Sequence, residues 1–206
     1  MNDAATATGD GRCLKLLLVG VGGQGVLSIA RWLGDAAVLS GHEVRVGQLH
    51  GMSQRGGNVE ASVLIGPGHS SFIPAGGADV AVGLEPLELS RARPKMSGRT
   101  IAVVSSVPIV PFPLAMQGKP YPDPQGLLDS VRELVGELIE INGRELAARA
   151  GFARSLNVVM MGVLSKLGVL PMDDEVILTA VERRCPARLR PHLRKAFMVG
   201  RQAVQR

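Results

Sequence analysis

Apolar positions in this chain fall in short runs broken by glycines and polar clusters, and their spacing switches between the periods of strand and helix. Residues 14–19 read Leu-Lys-Leu-Leu-Leu-Val and stop at Gly20, as a strand covered on both faces does when it ends in a glycine-rich turn. Leu27, Ala30, Leu33 and Ala37 then recur at three- and four-residue spacing, which predicts a helix over 26–39 with Gly41 as its stop. The alternation in Val44-Arg-Val-Gly-Gln-Leu49 predicts a second strand, and residues 59–65 predict a third beyond the polar loop 50–58. Strand, helix and strand in that order read as a βαβ unit.

Two further strands, 79–84 and 100–104, enclose a helical stretch from 85 to about 93 that Pro94 terminates. Prolines crowd between Val107 and Gln125, so that segment is expected to cross between elements without regular structure. Residues 138–141 suit a last strand, and Asn142 suits the cap of a helix over 143–150. From Arg154 onward the pattern is helical: Leu156, Val159, Met160, Val163, Leu164 and Leu167 share an apolar face, ended by Gly168 and Pro171. Asp173, Asp174 and Glu175 fall on the first turn of the next helix, where the dipole favours negative charge. The expected fold is α/β and Rossmann-like, a mostly parallel sheet flanked by helices, with a helical C-terminal region. Residues 1–12 are expected to be disordered and 13–206 to form one domain.

Composition narrows the classes open to such a fold. With 206 residues, 46% of them hydrophobic, the chain supports one generous core. Its two cysteines, Cys13 and Cys185, stand far apart without Cys or His neighbours at ligand spacing. They make no disulfide scaffold and cannot supply the roughly four ligands of an iron–sulfur cluster. Such cysteine usage predicts a reducing, cytoplasmic setting. Mean hydropathy is +0.19, yet charge interrupts every long apolar stretch, as Arg31 and Asp35 do, so no membrane span is expected. The net charge of +5 is concentrated near the end, where eight basic residues from Arg183 to Arg206 face one acid, Glu182. Such a tail suits either an anionic partner surface or a solvated helix face. One Trp, one Tyr and four Phe leave few stacking platforms, and no nucleic-acid partner is expected.

Two strings carry candidate chemistry. Gly20-Val-Gly-Gly-Gln-Gly25 satisfies G-x-G-x-x-G between a strand and a helix, where backbone amides and a helix N-terminus cradle phosphate. Gly20, Gly22, Gly23, Gln24 and Gly25 are therefore the candidate cofactor-binding residues. A dinucleotide site also needs an acid near the end of the second strand, and Arg45, Gly47 and Gln48 stand there instead. The same glycines would equally serve close helix–strand packing or the approach of a partner. His50-Gly-Met-Ser-Gln-Arg-Gly-Gly-Asn58 is the second string, expected beside the glycine turn. His50, Gln54, Arg55 and Asn58 offer donors for phosphate or carboxylate, though an ordinary polar crossover loop has similar composition. No neighbouring acid orients His50 as a base. Gly9-Asp-Gly11 lacks the strand and paired asparagines of a thiamine-diphosphate motif, and capping accounts for Glu85 and Glu88. No catalytic residue and no metal ligand is assigned to this chain.

Together with Gly76 to Asp79, Gly83-Leu-Glu-Pro86 and residues 157–164, these strings resemble the gamma-type domain of 2-oxoacid:ferredoxin oxidoreductases, and within it the small beta subunit of the indolepyruvate enzymes. Order and spacing match from about Leu14 to the last helix. One departure is that His192-Leu-Arg-Lys precedes Ala196-Phe197 where such subunits often carry an asparagine. The resemblance implies that 13–206 form a single pyruvate/ketoisovalerate oxidoreductase gamma-type catalytic domain. Its assembly would oxidatively decarboxylate an aryl 2-oxoacid to an acyl-CoA and reduce ferredoxin. Thiamine diphosphate, magnesium and 4Fe–4S clusters would belong to a large alpha-type partner subunit, none being bound by this chain alone, with CoA as co-substrate. His50, Gly51, Gln54, Arg55, Gly56 and Gly57 would line a substrate or CoA pocket at the interface with that subunit, and the chain alone would be inactive. The readings left open are the gamma subunit of a pyruvate, 2-oxoglutarate or other 2-oxoacid enzyme, a stand-alone dinucleotide-binding protein, and a regulatory protein whose tail contacts nucleic acid.

Overall fold

The computed structural model describes residues 12–50, 56–151 and 155–205. Its first strand, β1 (Leu14–Val21), sends Leu16 and Leu18 into one core and Leu17 and Val19 into another, as the alternating pleat requires of a strand buried on both sides. The other strands are β2 (Val44–His50), β3 (Asn58–Ile65), β4 (Val80–Gly83), β5 (Ile101–Ser105) and β6 (Glu137–Ile141), in the order β2-β3-β1-β4-β5-β6. β1, β4, β5 and β6 pair in parallel, whereas β3 runs antiparallel to both β1 and β2. The sheet is mostly parallel, as the pattern predicts. β1, α1 and β2 form a βαβ unit in that β2 runs the same way as β1, but the two strands are not neighbours, because β3 lies between them. The burial of β3 from Ala61 to Ile65 suits a strand with neighbours on both sides, while alternating β2 suits the edge.

Helix α1 (Val26–Leu39) matches its expected bounds. It is followed by α2 (Pro86–Arg91), α3 (Phe112–Met116), α4 (Pro124–Arg132), α5 (Gly143–Arg149), α6 (Leu156–Lys166), α7 (Asp174–Arg183) and α8 (Arg190–Gln202). α1, α5, α6, α7 and α8 cover one face of the sheet; α2 and α4 cover the other. The Asn142 side chain accepts from the Glu145 N–H at 3.1 Å, so the expected cap is present. Helix α2 ends two residues earlier than its pattern suggests, and Pro94 sits in a 3-10 turn over Arg93–Lys95. The proline-rich segment is not irregular throughout. It holds α3 and the start of α4, with prolines at first helical positions where no N–H is needed.

The C-terminal helices are part of the core. α6 and α8 cross with Gly162 against the Phe197 carbonyl and Gly200 against the Val159 carbonyl, and the Phe197 side chain is fully buried. Part of the basic tail is matched internally. Arg184 pairs with Asp35 of α1 at 2.9 Å, Arg194 with Glu182 at 2.6 Å, and Arg201 with Asp174 at 2.5 Å. Arg183, Arg188, Arg190 and Lys195 remain on the surface. Of the first twelve residues only Arg12 is described, and it reaches Asp79 at 2.9 Å; the rest of that expected disordered segment lies outside the described residues.

Candidate functional site

The sheet changes winding direction between β1 and β4. From β1 the chain passes through α1, on one face, toward β2; from β4 it passes through α2, on the opposite face, toward β5. The carboxyl ends of β1 and β4 therefore form the crevice in which open α/β sheets bind ligands. The glycine turn follows β1 at this edge and Leu84-Glu85-Pro86 follows β4, and the Leu84 N–H donates to the Val19 carbonyl at 2.9 Å.

Gln24 spans the crevice. Its Oε1 accepts from the Val21 N–H at 2.6 Å, and its Nε2 donates to the Leu84 carbonyl at 2.8 Å. The Gln24 N–H donates to the Val21 carbonyl at 3.0 Å, and the Gly22 N–H donates to the Gly57 carbonyl at 2.8 Å. These two amides are thus engaged within the protein. Gly20 is buried, while Gly23 is at the surface. Gly25 opens α1 with φ +95°, and a Cβ there would lie 2.8 Å from Asn157 Nδ2, so only glycine both adopts the turn and admits the first turn of α6.

The second string meets the first. Besides the Gly22–Gly57 bond, the Gly56 N–H donates to the Gly22 carbonyl at 3.4 Å, and the Gly56 carbonyl accepts from the Phe112 N–H at 2.9 Å. The structure therefore brings Gly56 and Gly57 against the glycine turn and adds the proline-rich segment as a third wall. The backbone of His50 ends β2 opposite Val59. Gly51, Gln54 and Arg55 lie outside the described residues.

Glu85 and Glu88, which the sequence suggests only as helix caps, form an acidic cluster at the same edge. Glu85 and Glu88 are both 0% exposed. Glu85 caps α2 by accepting from the Glu88 N–H, as expected, but it also accepts from the Tyr121 hydroxyl at 2.5 Å. That hydroxyl in turn accepts from the Leu87 N–H at 2.9 Å. Burial pushes the Glu85 carboxyl above its ordinary range, opposed by the Tyr121 and Glu88 hydrogen bonds; burial and the Glu85 carboxyl together push the Tyr121 hydroxyl up. Glu88 accepts from Asn58 Nδ2 and from Arg91 Nη1, the latter at 2.7 Å. Glu85 and Glu88 were visible in sequence as a cap; no sequence signal marked Tyr121, 36 residues away from Glu85.

Among the described residues no group of three or more His, Cys, Asp or Glu side chains could hold a metal ion, and Cys13 and Cys185 are both free. No helix of the described residues is long and apolar enough to cross a membrane.

The fold and site together define a Rossmann-like α/β module with a switch-point crevice walled by two glycine-bearing loops. The chain belongs to the pyruvate ferredoxin/flavodoxin oxidoreductase family, whose profile matches residues 15–203. It is 35% identical over 186 residues to indolepyruvate oxidoreductase subunit IorB of Methanothermobacter thermautotrophicus, covering 90% of this chain and 95% of that one. Its fold matches the gamma subunit of a keto/oxoacid ferredoxin oxidoreductase from Geobacter sulfurreducens, with a TM-score of 0.67 at 21% identity over 92% of this chain and 97% of that one. It also matches 32% of the longer chain of 2-oxoglutarate:ferredoxin oxidoreductase from Magnetococcus marinus, with a TM-score of 0.70, 18% identity and 94% of this chain covered.

Proposed function

We propose that this chain is the non-redox small subunit of an indolepyruvate-type 2-oxoacid:ferredoxin oxidoreductase. Its partner would be a larger subunit that carries thiamine diphosphate, magnesium and iron–sulfur clusters. The observation that carries this reading is the 35% identity to an indolepyruvate oxidoreductase subunit along nearly the full length of both chains. The donor set agrees, since two cysteines cannot ligate a cluster that needs about four. The partner's cofactors would supply the decarboxylation and electron transfer. This chain's part would be to wall the pocket for CoA or the 2-oxoacid carboxylate, with the glycine turn and Gly56–Gly57 shaping it and Arg55 as the charge-bearing donor. Residues 13–206 would work as one unit, in the cytoplasm.

A stand-alone dinucleotide-binding protein is less well supported. The Gly22 and Gln24 amides are engaged within the protein, and antiparallel β3 occupies the place beside β1 where a dinucleotide fold carries its ribose-binding strand. The test is co-expression with the large subunit encoded by the same organism, followed by assays of CoA-dependent ferredoxin reduction. Turnover by the assembly, with aryl 2-oxoacids preferred and no turnover by this chain alone, is expected. Activity of the isolated chain, or a preference for pyruvate or 2-oxoglutarate, would overturn the reading. Arg55→Ala should raise the apparent KM for CoA or the 2-oxoacid; unchanged values for both would remove Arg55 from that role.

A further inference from the structure

Capping needs only one of the two buried carboxylates at the start of α2, and Glu85 supplies it. Glu88 has no capping duty, yet it is fully buried and ionisable, a placement that destabilises a protein unless every oxygen finds a partner. Its two oxygens go to Asn58 and Arg91. Asn58 immediately follows Gly57, whose carbonyl takes the Gly22 N–H of the glycine turn. Glu85 holds Tyr121, which lies within the proline-rich segment, and Phe112 of the same segment donates to the Gly56 carbonyl. Both segments that wall the crevice are thus tied by part-buried hydrogen bonds to a single turn of helix, each bond ending on a buried carboxyl group.

We propose that the first turn of α2 is the positioning element of the candidate site: Glu88 sets the Gly56–Asn58 wall through Asn58, and Glu85 sets the proline-rich wall through Tyr121. Neither acid touches substrate; each acts through the residue it holds. What the crevice binds rests on the reading given above, but the positioning does not.

Asn58→Asp places a second carboxylate against Glu88 and removes the donor, while the exposure of position 58 keeps the new carboxylate in contact with water. The double variant Asn58→Asp with Glu88→Gln exchanges donor and acceptor and restores one hydrogen bond. Two readouts are taken: amide hydrogen exchange over residues 56–60 in the full chain, and KM and kcat for CoA and the 2-oxoacid in the assembled enzyme. The single variant is expected to exchange about tenfold faster over 56–60 and to raise one KM about tenfold at nearly unchanged kcat. The double variant is expected to return both to within about twofold of the parent. Unchanged exchange in the single variant, or failure of the double variant to recover it at a parental melting temperature, overturns the proposal. An assembly that oxidises no 2-oxoacid defeats the functional reading alone, and the exchange measurement then decides the positioning role by itself.

Discussion

Gln24 and Leu84 are bonded across the crevice, the glutamine Nε2 donating to the leucine carbonyl at 2.8 Å while its Oε1 accepts from the Val21 N–H. One side chain thereby closes the glycine turn on itself and ties the end of β1 to the end of β4. Gln24→Ala should lower unfolding stability by about 1–3 kcal/mol, because it leaves a backbone donor and a backbone acceptor short of partners. Gln24→Glu should be worse at pH 8 than at pH 5, since an ionised carboxylate faces the Leu84 carbonyl whereas a protonated one donates to it. Denaturant midpoints at the two pH values check both expectations.

Gly25 combines a left-handed backbone with contact to Asn157. Gly25→Ala should destabilise by about 1 kcal/mol or more from the backbone alone, with the collision adding to it. Combining it with Asn157→Ala should recover only the collision part. Full recovery in the double variant would show that the backbone angle contributes nothing.

The α6–α8 crossing depends on Gly162 and Gly200, each set against a carbonyl of the other helix. A methyl group at Gly200 must push backbone rather than a flexible side chain. Gly200→Ala should therefore lose about 3 kcal/mol, near the upper end for overpacking, with little change in the denaturant m-value. A loss within experimental scatter would mean that the helices part at little cost.

Glu85 gives the protein a pH signature. Burial, the largest influence, holds its folded carboxyl above the ordinary range, so the native state binds the proton more tightly than the unfolded chain. Its contribution to stability is present at acid pH and is lost as pH rises from the unfolded pKa through the folded one. Glu85→Gln is neutral and of the same shape, so the unfolding free energy of the variant relative to the parent should climb across that window and level off above it. Tyr121→Phe removes a donor to the carboxylate, raises the carboxyl further and should steepen the parent's decline. A relative stability that fell with pH would contradict the assignment.

Much of this fold was legible because its signals are local. The glycine stop and helical spacing placed α1, the apolar run placed β1, and Asn142 announced its own helix. Both glycine strings could be picked out by composition and set near one edge of the sheet. Partnership was not legible. β2 reads as a strand wherever it sits, and the insertion of antiparallel β3 beside β1 depends on which faces the helices cover. The proline-rich segment hid α3 because prolines at a helix start and prolines in an irregular loop look alike in sequence.

The sequence by itself determined most of the strands and helices outside the proline-rich segment, the glycine turn, the family and the impossibility of a cluster held by this chain's own thiolates, since periodicity, backbone freedom and ligand number are properties of residues along a line. Only the tertiary structure decided that Gln24 bridges β1 and β4, that Gly22 pairs with Gly57, and that Tyr121 and Asn58 converge on two buried acids. These bonds join residues distant along the chain, and they become favourable only after the sheet and helices have excluded water from the groups that form them.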